Sequence, residues 1–155
     1  MTVAYVGIGS NLDDPRTHVL KALDELDELP HTRLVKKSSL YKSEPVGYPA
    51  QPDFVNAVAQ LETGLPAERL LAELHGLEAR HGRKRSFDNA PRTLDLDVLL
   101  YGELSLDTPG LRIPHPRMHE RAFVLRPLLE IAPELQARYR DALDSCKNQQ
   151  TERIF

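Results

Sequence analysis

Two apolar spacings alternate along this chain, and no all-helical or all-strand fold satisfies both. Val55, Ala57, Ala59 and Leu61 recur at every second residue, as do Leu94, Leu96, Val98 and Leu100. That is the period of a strand with one buried face. Val19, Leu23 and Leu26, and later Leu70, Leu74 and Leu77, recur every three or four residues, the stripe of an amphipathic helix.

Turn signals divide the chain between these runs. Val3 to Ile8 is β-rich and leads into Gly9-Ser10-Asn11. Asp14 as cap and Pro15 in the first turn open a helix reaching toward Pro30. A second strand is expected from Arg33 to Tyr41, followed by a proline-interrupted loop through Glu44-Pro45-Val46-Gly47-Tyr48-Pro49. A third spans Phe54 to Leu61, with Phe54, Asn56 and Val58 opposite its apolar face. Pro66 opens a helix that Gly82 stops, and Leu94 to Tyr101 is the fourth strand. A short strand follows near Leu104 to Leu106, Pro114 and Pro116 fix an extended segment, and Pro127 is placed in the first turn of a third helix ending near Pro133. The order β-α-β-β-α-β-(β)-α predicts an α+β domain with an antiparallel sheet, and no linker divides residues 1–155.

Composition narrows the function. Twenty basic against twenty-three acidic residues give a net charge of −3, which argues against a general nucleic-acid binder. A single cysteine, Cys146, cannot form an internal disulfide, and no apolar run approaches the roughly 18 residues of a membrane span. The N-terminus lacks the basic start and apolar stretch of a signal peptide. The expectation is a soluble, cytoplasmic single domain.

The stretch that carries most chemistry runs from Arg83 to Asp97. On a strand, Asp95 and Asp97 point the same way with Cα atoms roughly 6.6–7 Å apart, so their carboxylates can converge. Such oxygens suit Mg²⁺, usually held by one or two carboxylates plus substrate phosphates. Arg83, Lys84, Arg85 and Arg92 precede them, and cations beside acids suit a metal-bound polyphosphate. The alternative is a solvated strand face whose acids pair with the basic loop. His115, Arg117 and Arg121 form a second polar cluster, fit either for phosphate and ribose or for a proline-stiffened surface turn. Phe54 and Asn56, with Phe123 downstream, suit a flat, hydrogen-bonding heterocycle or an ordinary core. No Walker-type phosphate loop is present, Gly7-x-Gly9 being too short. A ferredoxin-like RNA-binding module and a magnesium-dependent nucleotidyltransferase are the competing readings.

Several motifs now fall into register. Gly9-Ser10-Asn11-Leu12, Ser39-x-Tyr41-x-Ser43-x-Pro45-x-Gly47, Asp53-Phe54-x-Asn56, Gly82-Arg83-x-Arg85, Pro91-Arg92-Thr93-Leu94-Asp95-Leu96-Asp97 and Pro114-His115-Pro116-Arg117 closely resemble the 6-hydroxymethyl-7,8-dihydropterin pyrophosphokinase family of the folate pathway. The match runs from residue 2 to about 135; residues 136–155 carry no signature. The resemblance implies a ferredoxin-like α/β/α sandwich with a mainly antiparallel sheet, acting as a monomer. It implies transfer of the βγ-diphosphate of ATP to the pterin hydroxymethyl group, releasing AMP.

By the same resemblance, Asp95 and Asp97 look like the ligands of two Mg²⁺ ions, and Arg83 and Arg92 like the loop cations that engage the transferred phosphates. Arg85, His115 and Arg121 resemble contacts to ATP, with Leu71, His75, Glu78, Val98 and Ile113 around the nucleotide. Phe54 and Phe123 would sandwich the pterin while Asn56, Ser43 and Val46 read its edges. Family members often carry Trp in the loop before Pro91; this chain has Asn89 there, with Phe87 as the nearest ring. Position 116 is Pro where some members have an aromatic residue, so Pro116 is given no role.

Overall fold

The strand-period run around Val55 to Leu61 becomes the spine of a six-stranded sheet. Residues 1–45, 50–83 and 92–155 are described in the computed structural model. Among them the chain runs β1 (Thr2–Ser10), α1 (Pro15–Leu26), β2 (Thr32–Lys37), β3 (Tyr41–Ser43), β4 (Phe54–Thr63) and α2 (Ala67–Arg80). It continues through β5 (Asp95–Tyr101), β6 (Leu106–Thr108), β7 (Leu111–Ile113), α3 (Ala122–Ile131), α4 (Gln136–Ser145) and β8 (Thr151–Arg153). The sheet order is β5-β1-β4-β3-β8, with β2 also on β4, and every pairing is antiparallel.

Alternation along β4 explains the three layers. Ala57, Ala59 and Leu61 point into a core shared with Val19, Leu23 and Leu26 of α1 and Leu70, Leu74 and Leu77 of α2. Val58 points the other way, into a second core with Leu125 and Leu128 of α3 and Tyr139 of α4. Small alanines on one face let the helices approach closely, and both faces are excluded from water. The result is the ferredoxin-like α/β/α sandwich.

Local chemistry shifts several boundaries. The strand expected from Arg33 to Tyr41 breaks into β2 and β3 because Ser38 interrupts the ladder. Its hydroxyl takes the Val58 N–H at 2.9 Å, a bond that a backbone carbonyl would make in an unbroken strand. The helix beginning at Pro15 ends at Leu26, short of Pro30. Asp14 occupies the N-cap position but accepts from the Thr17 hydroxyl at 2.7 Å, not from a backbone N–H. At the end of α2, Gly82 takes φ 78°, a left-handed conformation that glycine adopts without strain. The turn lets the Arg83 N–H close on the Glu78 carbonyl at 3.1 Å.

Leu100 was expected beside Val98. A β-bulge intervenes: Val6 pairs with Val98 and Tyr5 with Leu100, leaving Leu99 as the extra residue. Leu100 therefore joins Leu99 in the α3 core, while Leu96 and Val98 stay in the α1/α2 core. Pro127 sits inside α3, which starts at Ala122, rather than in its first turn. Pro127 removes one bond, to the Phe123 carbonyl, and seven buried side chains on this ten-residue helix offset that loss. The predicted short strand falls at Leu106 and forms a hairpin with β7. Residues 136–155, unsigned in the sequence, form α4 and then β8, which pairs Thr151 with Ser43 along β3.

Candidate active site

The first half of β5 carries its polar residues to one side and its apolar residues to the other. Asp95 and Asp97 line a cleft on the α3 face of the sheet that is partly open to solvent. Leu96 and Val98 between and after them are buried in the opposite core. The carboxylates thus share one side, as the strand period requires.

Asp95 is held by two guanidinium groups. Arg83 Nη1 donates to its Oδ1 at 2.6 Å, and Arg92 Nη1 to its Oδ2 at 3.1 Å. Arg83 Nη1 also donates to Glu78 Oε2 at 2.6 Å, and the same oxygen accepts the Leu96 N–H at 2.8 Å. Glu78, 3% exposed, is therefore an anchor that fixes Arg83 against β5. Asp97 differs from Asp95: burial, and next the charge of Asp95, push its pKa up to about 7, with Arg121 opposing. Two carboxylates crowded at one cleft wall, one of them poorly solvated, form a donor set that a hard divalent cation relieves. The residues present fit magnesium.

The far wall is aromatic and amide. Phe54, Asn56 and Phe123 line the same cleft. Asn56 is buried and donates through Nδ2 to Ser43 Oγ at 2.7 Å, which orients its amide plane. Gly9 keeps the floor flat: a Cβ there would stand 3.2 Å from Asn56 Oδ1. Arg92 lies over Phe54, its Cζ 5.5 Å from the ring centroid, so the cation-bearing and aromatic walls touch.

A third strand of the site comes from the segment after β7. Burial holds the His115 imidazole down to about 4, with Arg121 and Arg117 reinforcing, so the ring is neutral at physiological pH. Its Nδ1 accepts the Arg117 N–H at 3.1 Å, which leaves the proton on Nε2. Burial pulls the Arg121 guanidinium pKa below its usual value while the charge of Asp97 opposes. Arg121 Cζ lies 5.5 Å from the Phe123 ring centroid.

Of the residues singled out in the sequence, Ser43, Phe54, Asn56, Arg92, Asp95, Asp97, Arg121 and Phe123 line this one cleft. Arg83 and Glu78 brace it from behind. Val98 and Ile113 are 3% and 2% exposed in the α1/α2 core, so their side chains do not reach it. Leu71 packs against that same core, and exposed His75 is also on α2; neither lines the cleft. Arg85, Val46, Phe87 and Asn89 lie outside the described residues.

Sequence reasoning passed over Gly9 and Leu99, which also form the lining, and Arg117, which was named without a role. It also missed Asn11. Its Nδ2 donates to Gln51 Oε1 at 2.7 Å and to the Pro52 carbonyl at 3.1 Å, and its Oδ1 accepts the Arg92 N–H at 2.8 Å. The turn signal at Gly9-Ser10-Asn11 marked the place but not the partners, which are about forty and eighty residues away.

Comparison with known proteins places this geometry. A family model described as 7,8-dihydro-6-hydroxymethylpterin-pyrophosphokinase (HPPK) matches residues 5–133. The chain is 52% identical over 132 residues to a 2-amino-4-hydroxy-6-hydroxymethyldihydropteridine pyrophosphokinase of Pseudomonas aeruginosa, covering 85% of this chain and 82% of that one. It is 48% identical over 135 residues to the protein of the same description from Haemophilus influenzae, covering 87% and 84%. Among solved structures, it is similar to a Plasmodium falciparum HPPK-DHPS chain solved with pterin and p-hydroxybenzoate, at a TM-score of 0.69. That likeness covers 99% of this chain and 46% of the longer one, and at 14% identity it speaks for the fold alone.

Proposed function

Because the chain belongs to the 7,8-dihydro-6-hydroxymethylpterin-pyrophosphokinase family, its activity is that of a pyrophosphokinase of folate biosynthesis, and we propose that Asp95, Asp97, Arg83, Arg92 and Arg121 carry the transfer. The reaction moves the βγ-diphosphate of ATP to the hydroxymethyl group of 6-hydroxymethyl-7,8-dihydropterin and releases AMP. The observation that carries the assignment is one cleft in which two same-side carboxylates meet Arg92, Arg121 and an aromatic–amide wall, with Arg83 gripping Asp95 from behind.

Asp95 and Asp97 are the residues to hold two Mg²⁺ ions. Magnesium held there would supply positive charge to offset the negative charge of the triphosphate. Diphosphate transfer passes through a loose transition state, so positioning and charge matter more than a strong base. That suits a site whose half-buried His115 is neutral and whose Asp95 is committed to two arginines. Arg83 and Arg92 turn from Asp95 to the transferred phosphates, and Arg121 meets the polyphosphate from the α3 side. Arg85 and the Nε2–H of His115 add contacts to ATP. The buried side chains of Val98 and Ile113 leave only their main chains, on β5 and β7 respectively, to meet the nucleotide beside Leu71, His75 and Glu78. Phe54 and Phe123 take the pterin faces; Asn56, Ser43 and Val46 take its edges.

In this reading residues 1–155 work as one unit and the enzyme acts as a monomer. Among the described residues no helix is long and apolar enough to cross a membrane, in keeping with a cytoplasmic enzyme. Incubation with ATP, Mg²⁺ and the reduced pterin alcohol tests the assignment. AMP plus pterin diphosphate supports it, whereas free pyrophosphate would point to nucleotidyl transfer.

A further inference from the structure

Arg121 stands at a junction that its own segment holds only through the main chain: its N–H reaches the Met118 carbonyl at 3.2 Å, and its carbonyl accepts from the Val124 and Leu125 N–H groups at 3.1 and 3.0 Å. It follows a single 3₁₀ turn, Met118–Glu120, and precedes the first residue of α3, with extended backbone angles of φ −125° and ψ 106°. No side chain of its own segment caps the helix. The cap comes from the other end of the chain. Gln149, in the turn between α4 and β8, accepts the Ala122 N–H on its Oε1 at 2.9 Å. Its Nε2 donates to the Glu120 carbonyl at 2.8 Å.

Those two groups belong to the peptide planes on either side of the Arg121 Cα. Gln149 thus adds a second bond to each plane beside the local ones, and the two planes together set the dihedrals of Arg121 and the direction in which its side chain leaves the backbone. Only one orientation of the amide satisfies both bonds, since one partner is a donor and the other an acceptor. We propose that Gln149 is a positioning residue for Arg121, setting the aim of the guanidinium that faces Asp97 across the cleft.

Neighbouring contacts keep the clamp in place. The buried Cys146 thiol contacts the His119 carbonyl at 3.7 Å, and Gln149 N–H closes on the Cys146 carbonyl at 2.8 Å. Arg126 of α3 donates to the Thr151 carbonyl at 2.7 Å and to its hydroxyl at 2.6 Å. The segment 146–151 therefore grips the start of α3 at several points while Thr151 pairs with Ser43 on the pterin side. A side chain free to swing by an ångström would lose alignment with a phosphate it must meet only in the transition state.

The inference rests on Arg121 serving the polyphosphate, as proposed above, and a double-mutant cycle separates the two ideas. Turnover, both KM values and amide exchange at Ala122 are measured for the wild type, Gln149→Ala, Arg121→Ala and the double variant. Gln149→Ala is expected to speed exchange at Ala122 and to lower kcat/KM for ATP by about tenfold, with the pterin KM within about twofold of wild type. In the Arg121→Ala background the same change is expected to have no further effect on kcat/KM. An equal loss in both backgrounds, or undiminished turnover in Gln149→Ala despite faster exchange, overturns the positioning role and leaves Arg121 in place. Normal turnover in Arg121→Ala alone removes the role of Arg121, and the clamp's purpose with it.

Discussion

Asn11 and Arg92 are joined by a reciprocal pair of hydrogen bonds. The Asn11 N–H reaches the Arg92 carbonyl at 3.0 Å, and the Arg92 N–H reaches Asn11 Oδ1 at 2.8 Å. The exit of the basic loop is thus latched to the end of β1. Through Nδ2, the same asparagine holds Gln51 and Pro52 at the exit of the 44–53 loop. One residue thus ties Arg92 and the Gln51–Pro52 pair to the end of β1. Asn11→Ala is expected to lower kcat by about tenfold and to reduce the melting temperature by a few degrees, since each bond contributes about 1 kcal/mol. Steady-state kinetics and a thermal melt on the same preparation decide it; unchanged kinetics would show that the latch has no part in turnover.

Removing the Asp97 carboxylate is expected to abolish turnover. Asp97→Ala should also lose the rise in melting temperature that magnesium with a non-hydrolysable ATP analogue gives the wild type, because that rise reports ligand bound to the folded state. A full ligand-induced shift in the variant would remove Asp97 from the metal site.

Burial gives Asp97 a second, opposite signature. Its folded pKa is raised from 3.8 to about 7, so the folded protein keeps a proton that the unfolded chain has given up. The stability this group contributes is full below its unfolded pKa and is lost as pH rises through about 7. Without metal, Asp97→Asn is expected to melt higher than the wild type at about pH 8 and to lose that advantage toward about pH 4. Parallel melts across that range settle the sign, and a constant difference would contradict it.

Arg92→Ala and Arg83→Ala are each expected to reduce kcat by at least ~10²-fold, the scale for losing one transition-state donor, with little change in pterin affinity. Arg83→Ala alone should also destabilise the fold, because it leaves the buried Glu78 without this cation partner. Comparable kcat for wild type and either variant would strip that arginine of its role.

Gly9→Ala probes the proposed pterin wall without touching a charge. The new methyl would stand 3.2 Å from Asn56 Oδ1, displacing the amide that Ser43 orients. Calorimetry should show pterin binding weakened several-fold, with ATP binding unaltered. Equal affinities would mean that Asn56 does not read the pterin. Asn56→Ala is expected to weaken pterin binding in the same assay.

Much of this was readable in advance because it depends on local period. Leu96 and Val98 on one side put Asp95 and Asp97 on the other, and the sheet simply keeps that arrangement. Val55 to Leu61 likewise placed Phe54 and Asn56 on the cleft side. What escaped depends on partners far away in sequence. The bulge at Leu99 is set by the pairing of β5 with β1, and Ser38 breaks a strand because Val58 is opposite it. Pro127 looked like a helix start because a proline there is cheapest, whereas burial of its neighbours carries α3 five residues further back. The side chains of Val98 and Ile113 face the core although the resemblance put them near ATP, a distinction that motif matching cannot draw between main chain and side chain.

The paired grip on Asp95 has a kinetic corollary. Arg83 and Arg92 occupy the same two oxygens that the proposed magnesium would use, so on that proposal they are internal rivals of the metal–nucleotide pair. Whatever they subtract from capture they restore at departure, by reclaiming the carboxylate as the spent nucleotide leaves. On that proposal Asp95 passes from one cation to another and is not left bare, and the site is furnished to empty itself between turnovers.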